Sequence, residues 1–167
     1  MTQINDIWAR EILDCRLEPT LRVTIETGSG TGRADVPCGR SRGKHEAMDL
    51  RDGDERYDGL GVKTAVSHVN ETIADTLVGQ DALQQRMIDQ TLIDMDGTPD
   101  KSKLGGNALT GVSLAVLKAA ADSVDVPLYQ YVGGVDATVL PIPFFDLIEG
   151  GELASSGLAF QEHQVVP

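Results

Sequence analysis

The sequence predicts an α+β fold, in which a small antiparallel sheet comes first and a set of helices follows. Apolar and polar residues alternate over the first forty positions, which is the period of a half-buried strand. After residue 60 the apolar residues recur every three or four positions, which is the period of a helix face. Strand segments and helix segments are therefore separated along the chain, and this order is typical of α+β domains.

Three strands are predicted near the amino end, over residues 4–12, 20–27 and 31–36. The alternation is clearest in the second, where Leu21, Val23 and Ile25 are separated by polar residues. β-Branched residues are enriched in strands, so the composition agrees with the period. We expect a three-stranded antiparallel meander.

Gly28, Ser29 and Gly30 connect the second strand to the third. Spaced glycines also occur in dinucleotide-binding loops, but such a loop leads directly into a helix. Here a strand follows, so we interpret the segment as a hairpin turn.

Residues 37–61 form a segment without clear periodicity, rich in glycine, arginine and aspartate. It is predicted to be a long loop with one short helical turn over residues 46–50. Loops of this length in compact domains are often functional.

Three helices are predicted after the loop. The first spans 62–77 and ends at Gly79; the second runs from Leu83 to Met95 and ends at Gly97. The third, over 107–124, is nearly all apolar and rich in alanine, which indicates a central position in the domain. We expect Val112 and Leu114 of this helix to be buried.

The character of the sequence changes near Pro127. We place a first domain at residues 1–127 and an incomplete second domain, a connector with the first strands of a further domain, at residues 128–167. The apolar, proline-punctuated run 139–145 suits an edge strand or connector. We expect this run to cover apolar surface of a partner or of a following domain.

Composition excludes some classes of partner. The formal charge is −12, with 26 acidic and 14 basic side chains. A surface this acidic repels phosphate, so binding to nucleic acid or to an anionic membrane is not expected. The two cysteines, Cys15 and Cys38, are too few for a disulfide framework, and we interpret them as free thiols. We expect a soluble, cytoplasmic protein.

Several segments resemble the enolase family in order and spacing. The most specific runs lie after residue 90. Shorter runs cover the first loop and a second, glycine- and serine-rich loop predicted at residues 149–157. The matching positions are 11–16 with 19–20, 43–47, 50–54, 57, 61–62, 65–66, 69–70, 94–99, 103–105, 107–108, 111–115, 127–129, 148, 150–151 and 160–162. The resemblance extends over essentially the whole chain and implies an amino-terminal capping domain followed by the start of a β/α barrel.

The resemblance implies a lyase of glycolysis, a phosphopyruvate hydratase that converts 2-phosphoglycerate to phosphoenolpyruvate. It further implies Mg²⁺ as cofactor, a phosphorylated small-molecule acid as substrate, and a homodimer. A complete barrel needs about 250 residues. The family's lysine base and the three carboxylates that hold its first metal ion are therefore expected outside this chain, and the 167 residues alone are predicted to be inactive.

Three residues match family positions that carry the chemistry. Ser41 matches the serine of the first loop, which closes over the site and binds the second metal ion. Gln161 and Glu162 match residues that face the substrate, and the glutamate belongs to the group that handles the leaving hydroxyl. The resemblance thus implies Glu162 as catalytic, Gln161 as substrate-binding and Ser41 as a metal ligand.

Both loops also depart from the family pattern. Arg40 and Arg42 replace small residues of the first loop; they either bind an anion, since arginine is a good phosphate ligand, or point into solvent. In the second loop Leu153 and Glu149 replace the family's histidine and asparagine. Two alternative hypotheses therefore stay open: a catalytically degenerate binding or regulatory module, and an enolase-superfamily enzyme with a different carboxylate substrate.

Overall fold

The computed structural model describes residues 1–39, 42–152 and 154–167. The chain forms two compact units, Met1–Val132 and Gly133–Pro167.

The first unit begins with three strands, β1 (Ile4–Leu13), β2 (Pro19–Thr27) and β3 (Thr31–Asp35). They form an antiparallel sheet in the order β1-β2-β3. Ala9 of β1 lies opposite Val23 of β2, which in turn lies opposite Ala34 of β3. The Thr27 amide donates to the Gly30 carbonyl at 2.8 Å and closes the turn between β2 and β3. The predicted meander and its hairpin turn are confirmed.

The helices follow the sheet, as the periodicity predicts. The first predicted helix is a continuous helical segment that contains a π turn. The second begins at Gln85 rather than Leu83 and ends at Gly97, whose φ of 69° is left-handed. The elements are α1 (Lys63–His68), the π turn (Val69–Ile73), α2 (Ala74–Leu77), α3 (Gln85–Asp96), α4 (Gly106–Ser123) and α5 (Leu128–Gly133).

The helical turn predicted at residues 46–50 is wrong. Residues 46–50 form neither helix nor strand: the Met48 amide donates to the Asp100 carbonyl at 2.7 Å and the Leu50 amide donates to the Asn107 side chain at 3.1 Å, so neither amide is available for a helical hydrogen bond. A tight turn lies instead at Arg56–Gly59, where Tyr57 and Asp58 have φ values of 50° and 53°.

The core of the first unit lies between the sheet and the helices. Helix α4 packs on β2 and β3, and Leu21, Val23 and Ile25 of β2 are fully buried there. A Cβ atom on Gly32 of β3 would overlap the backbone of α4 at Ala115, so the two elements approach closely.

The burial prediction for α4 is correct for one residue and wrong for the other. Val112 is fully buried, but Leu114 is 37% exposed. Two residues along an α-helix correspond to a rotation of about 200°, so Leu114 points away from the sheet-facing side on which Val112 lies. Because nearly all residues of α4 are apolar, the sequence pattern does not distinguish its buried side from its exposed side.

The second unit contains one antiparallel hairpin, β4 (Phe145–Glu149) paired with β5 (Glu162–Val165). Of the run 139–145, only Phe145 belongs to a strand, so most of the run is a connector. Val139 is 88% exposed and Phe144 is 63% exposed. The interpretation of this unit as the start of a barrel stays a prediction.

No helix within the described ranges is both long enough and apolar enough to span a bilayer.

Candidate functional site

The residues predicted to carry chemistry fall in two segments, the first loop at residues 37–61 and the second segment at residues 149–162. Arg40, Ser41 and Leu153 lie outside the described residues. Arg42 belongs to the first compact unit, and Gln161 and Glu162 belong to the second. The structure therefore brings Gln161 and Glu162 together in one hairpin.

Arg42 forms an ion pair at the base of the first loop. Its Nη2 lies 3.3 Å from Oδ2 of Asp49, and the arginine side chain is half exposed. The same oxygen accepts a hydrogen bond from the Cys38 thiol at 3.3 Å and lies 3.8 Å from a guanidinium nitrogen of Arg51. Asp49 thus contacts three side chains of the loop, at positions 38, 42 and 51.

Cys38 has a structural role in this cluster. Burial raises the pKa of its thiol, and the hydrogen bond to Asp49 raises it further. Arg51 donates to the sulfur at 3.1 Å and also to the Pro19 and Leu60 carbonyls, at 2.6 and 2.8 Å. Because the thiolate is the nucleophilic form of cysteine, a thiol with a raised pKa is poorly suited to nucleophilic chemistry.

The middle of the loop is bonded to the start of α4. The Asn107 side chain accepts from the Leu50 amide and donates to the Leu50 carbonyl, both at 3.1 Å. The Gly106 amide donates to the Met48 carbonyl at 2.8 Å. Residues 48–50 therefore have a defined position on the helix although they are not part of a sheet.

Asp52 caps the helical segment that follows the loop. Its carboxylate accepts hydrogen bonds from the amides of Lys63 at 2.8 Å and Thr64 at 2.9 Å. Burial raises the pKa of Asp52, but hydrogen bonds from Thr64 and Lys63 outweigh this effect and bring the pKa below its usual value. The negative charge also suits the positive end of the helix dipole.

Glu11 of β1 supports the same cap. Its Oε2 accepts from the Val62 amide at 2.9 Å, and its Oε1 accepts from Arg56, whose Nη1 lies 3.9 Å from Asp52. Burial raises the pKa of Glu11, whereas Arg56 and the Val62 amide lower it more, and the net pKa is below normal. The capping role of Glu11 and Asp52 was missed in the sequence because each lies ten or more positions from the amides that it accepts from.

Gln161 and Glu162 lie on the hairpin of the second unit. The Gln161 carbonyl accepts from the Gly150 amide at 2.7 Å, and Glu162 lies opposite Glu149 in the β4–β5 register. Oε2 of Glu162 accepts from Nε2 of Gln164 at 3.2 Å, and the Glu162 side chain is exposed. A carboxylate in this position is free to contact a ligand on its open side.

The described residues contain no clustered set of metal-ligating side chains. Within residues 1–39, 42–152 and 154–167, no three His, Cys, Asp or Glu side chains are grouped so that they could hold a metal ion.

Comparisons with known proteins agree along the chain. A family model described as "Enolase, N-terminal domain" matches residues 4–132. The protein named enolase from Methanothrix thermoacetophila is 54% identical over 165 residues, which cover 99% of this chain and 39% of the relative. Enolase from Methanopyrus kandleri is 54% identical over 168 residues, which cover all of this chain and 39% of that relative.

The chain thus spans about two fifths of the length of these curated relatives. The matched model covers the sheet and all the helices of the first unit. The order of strands and helices agrees with the match. This chain belongs to the enolase family.

Proposed function

We propose that this chain is the amino-terminal portion of a magnesium-dependent lyase that dehydrates 2-phosphoglycerate to phosphoenolpyruvate in glycolysis. The observation that carries the proposal is the extent of the similarity: 54% identity continues through 99% of the chain, and so includes both segments that hold the predicted site residues. The remaining groups of the site belong to a barrel domain outside these 167 residues.

Glu162 is the proposed catalytic residue, and Gln161 is the proposed substrate contact beside it. The exposed carboxylate of Glu162 is held from one side by Gln164. A carboxyl group positioned in this way can accept or donate a proton as the substrate hydroxyl leaves, which is general acid–base catalysis. The antiparallel pairing with β4 fixes the backbone at Glu162 and so limits the positions that its side chain can reach.

Arg42 is proposed to bind the anionic substrate, with Arg40 beside it in sequence. The ion pair with Asp49 uses one of the nitrogens of Arg42, and half of the side chain remains exposed. A guanidinium group has five N–H donors, so donors remain for a phosphate or carboxylate. A local basic group of this kind is needed because the net charge of the chain is −12.

Ser41 is proposed as one ligand of a magnesium ion whose other ligands lie outside this chain. The cation would neutralise negative charge that builds up on the substrate carboxylate. We further propose a cytoplasmic homodimer.

A specific observation favours a second candidate, an enolase-like module with an altered or lost reaction. Glu149 replaces the family's asparagine, and it lies directly opposite Glu162 in the hairpin. Like charges placed opposite each other are unfavourable. The second carboxylate therefore changes the charge that a substrate would meet next to the proposed catalytic group.

The test is a chimera in which this chain replaces the matching segment of the Methanothrix thermoacetophila enolase. Phosphoenolpyruvate formation is followed by absorbance. We expect the chimera to be active and the isolated chain to be inactive. Glu162→Gln in the chimera should lower kcat by about 10² to 10⁴, whereas Glu152→Gln, an exposed glutamate of the same segment, should leave kcat unchanged.

The opposite outcome is also informative. A folded chimera without activity, in which Leu153→His with Glu149→Asn restores turnover, would show that this chain has lost the reaction and would favour the second candidate. Equal effects of the Glu162 and Glu152 substitutions would remove Glu162 from the proposed mechanism.

A further inference from the structure

A cleft lies between helices α3 and α4 on the side of the first unit away from the sheet. Its volume is about 370 Å³. The floor is aliphatic and includes Leu92, Ile93, Leu109 and Leu114, and Ala47 of the first loop forms part of one wall. The partial exposure of Leu114, which contradicts the sequence-based expectation, is explained by its position in this cleft.

The two ends of the cleft carry opposite charges. At one end, Nε2 of Gln85 donates to Oδ1 of Asp89 at 3.0 Å and to the Ser113 hydroxyl at 3.1 Å, so the carboxylate lies at the Ser113 level of α4. At the other end, the Lys101 carbonyl accepts from the Gly105 amide at 2.9 Å, so the backbone of Lys101 lies at the start of α4, and its ammonium group donates to the Thr98 carbonyl at 2.9 Å. Both charged residues line the cleft.

The distance between these ends follows from helix geometry. Gly106 and Ser113 are seven residues apart on α4, and a rise of 1.5 Å per residue separates them by about 10 Å. An extended dipeptide of about 7 Å, with a charge-assisted hydrogen bond of about 2.8 Å at each end, spans about 13 Å. The two charged groups must therefore lie about 3 Å farther apart than these two backbone positions, which the long, flexible side chain of lysine allows. The cleft volume lies at the lower end of the range of about 300–1,000 Å³ for small-molecule pockets.

We propose that the cleft between α3 and α4 binds a small zwitterion with an apolar body, of the size of an apolar dipeptide with free termini. The ammonium group pairs with Asp89, the carboxylate pairs with Lys101, and the apolar side chains lie on Leu92, Leu109 and Leu114. Lys101 gives one hydrogen bond to the Thr98 carbonyl at 2.9 Å. An ammonium group has three donors, so two remain for a ligand.

The occupant of the cleft would contact the first loop. Ala47 lies in the wall, and the next residue, Met48, accepts from the Gly106 amide at 2.8 Å. A ligand in contact with Ala47 would therefore affect the neighbouring hydrogen bonds between residues 48–50 and α4. We expect binding to change the environment of the Met48 and Leu50 amides, whether or not the proposed lyase activity is correct.

The experiment is an NMR titration of the ¹⁵N-labelled 167-residue chain with leucyl-leucine. We expect saturable shifts of amides at Leu92, Leu109 and Leu114, together with shifts at Met48 and Leu50. N-acetyl-leucyl-leucine amide has the same apolar body without the terminal charges. It should bind at least about tenfold more weakly, since hydrogen bonds to charged groups contribute more than neutral ones.

Matched variants separate the cleft from the surrounding surface. Asp89→Asn and Lys101→Met should each weaken leucyl-leucine binding about tenfold, whereas Asp94→Asn, an exposed carboxylate of the same helix, should not. Far-UV circular dichroism checks that each variant is folded. Equal binding of the charged and capped peptides, or no saturable shift in this cleft, would overturn the proposal without bearing on the lyase assignment.

Discussion

Asp96 is a buried carboxylate whose hydrogen bonds stabilise the turn after α3. It is 2% exposed. Its Oδ2 accepts from the Leu104 amide at 2.7 Å, and its Oδ1 accepts from the amide of Thr98 at 3.0 Å and from the Thr98 hydroxyl. Burial raises the pKa of Asp96, but the hydrogen bonds from Thr98 and Leu104 lower it more, and the net pKa is below normal.

We predict that Asp96→Asn lowers the free energy of unfolding by about 1–3 kcal/mol at pH 7, because buried donors lose a charged acceptor. A carboxyl group with a lowered folded-state pKa stabilises the fold above its unfolded pKa of about 3.9. That contribution is lost as the pH falls through the lower folded-state value. The difference between the variant and the parent should therefore shrink below about pH 4.

Urea denaturation measured from pH 7 down to pH 3 tests this prediction, with Asp94→Asn as the matched exposed control. The control should stay within about 0.5 kcal/mol of the parent. A destabilisation by Asp96→Asn that is the same at every pH would contradict the role given to the charge.

At this scale the sequence predicted residue types better than residue contacts. Glu162 and Gln161 could be selected from the family resemblance, and the structure shows them exposed on a hairpin. The ion pair between Arg42 and Asp49 could not be predicted. The pair forms because the loop folds back over the seven residues between them. Hydrophobic periodicity, from which the strands and helices were predicted, carries no information on such a fold-back.

The π turn at Val69–Ile73 explains an irregular feature of the helix pattern. Ala65, Val69, Ile73 and Leu77 are all fully buried although they are spaced by four residues. In a regular helix of 3.6 residues per turn, each spacing of four would rotate the side chain by about 40° and move the last one off the buried face. The π turn has more residues per turn, so it reduces this rotation and keeps the four side chains on the buried face. The repeated spacing of four was the sequence signal that could have indicated the π turn.

The π turn also places Asn70 against the edge strand β1. Its side-chain amide donates to the Ala9 carbonyl at 3.2 Å and its side-chain oxygen accepts from the Ala9 amide at 2.5 Å. Asn70 therefore occupies backbone groups that another strand could otherwise bind. Unpaired edges are sites of association.

We predict that Asn70→Ala destabilises the chain by about 1–2 kcal/mol and increases its self-association, because two backbone groups of β1 lose their partner. Glu71→Ala, at the exposed neighbouring position of the same turn, is the control and should have neither effect. Thermal denaturation and analytical ultracentrifugation measure the two quantities. If Asn70→Ala associates no more than Glu71→Ala, Asn70 does not protect the edge.

Element prediction succeeded where the side-chain period decides the structure and failed where distant partners decide it. The three strands and α4 follow from periods of two and 3.6. The segment 46–50 contains good helix formers, yet its Met48 and Leu50 amides bond to Asp100 and Asn107 and form no helical turn. Those partners lie more than fifty positions away, beyond any local pattern.

Over the whole molecule, two opposing properties control association. The net charge of −12 keeps copies of the chain apart, and the second unit exposes Phe144 and Phe145, at 63% and 54%. Salt screens the charge, since the Debye length falls from about 30 Å at 0.01 M to about 10 Å at 0.1 M ionic strength. Exposed apolar clusters of this kind mark surfaces that another chain or domain covers.

We therefore predict that the isolated chain associates more strongly as salt rises and that Phe144→Ser reduces this association. Thr138→Ser, a conservative change in the same connector, is the control. Light scattering between about 0.01 and 0.1 M salt gives the apparent mass across the range in which screening changes most. A monomer at all salt concentrations, or equal behaviour of both variants, would contradict the role of the exposed phenylalanine.

The contact between Gly32 and α4 has a consequence for how this domain can evolve. A Cβ atom at position 32 would overlap the Ala115 carbonyl oxygen and the Ala119 amide nitrogen. Both are backbone atoms, which every amino acid has, so no substitution at 115 or 119 can make room for a side chain at 32. Elsewhere in the core, a larger side chain at one position can be accommodated by a smaller one at its neighbour. At this contact no second substitution can do so. A mutation of Gly32 can be repaired only by reversion or by displacement of the whole helix.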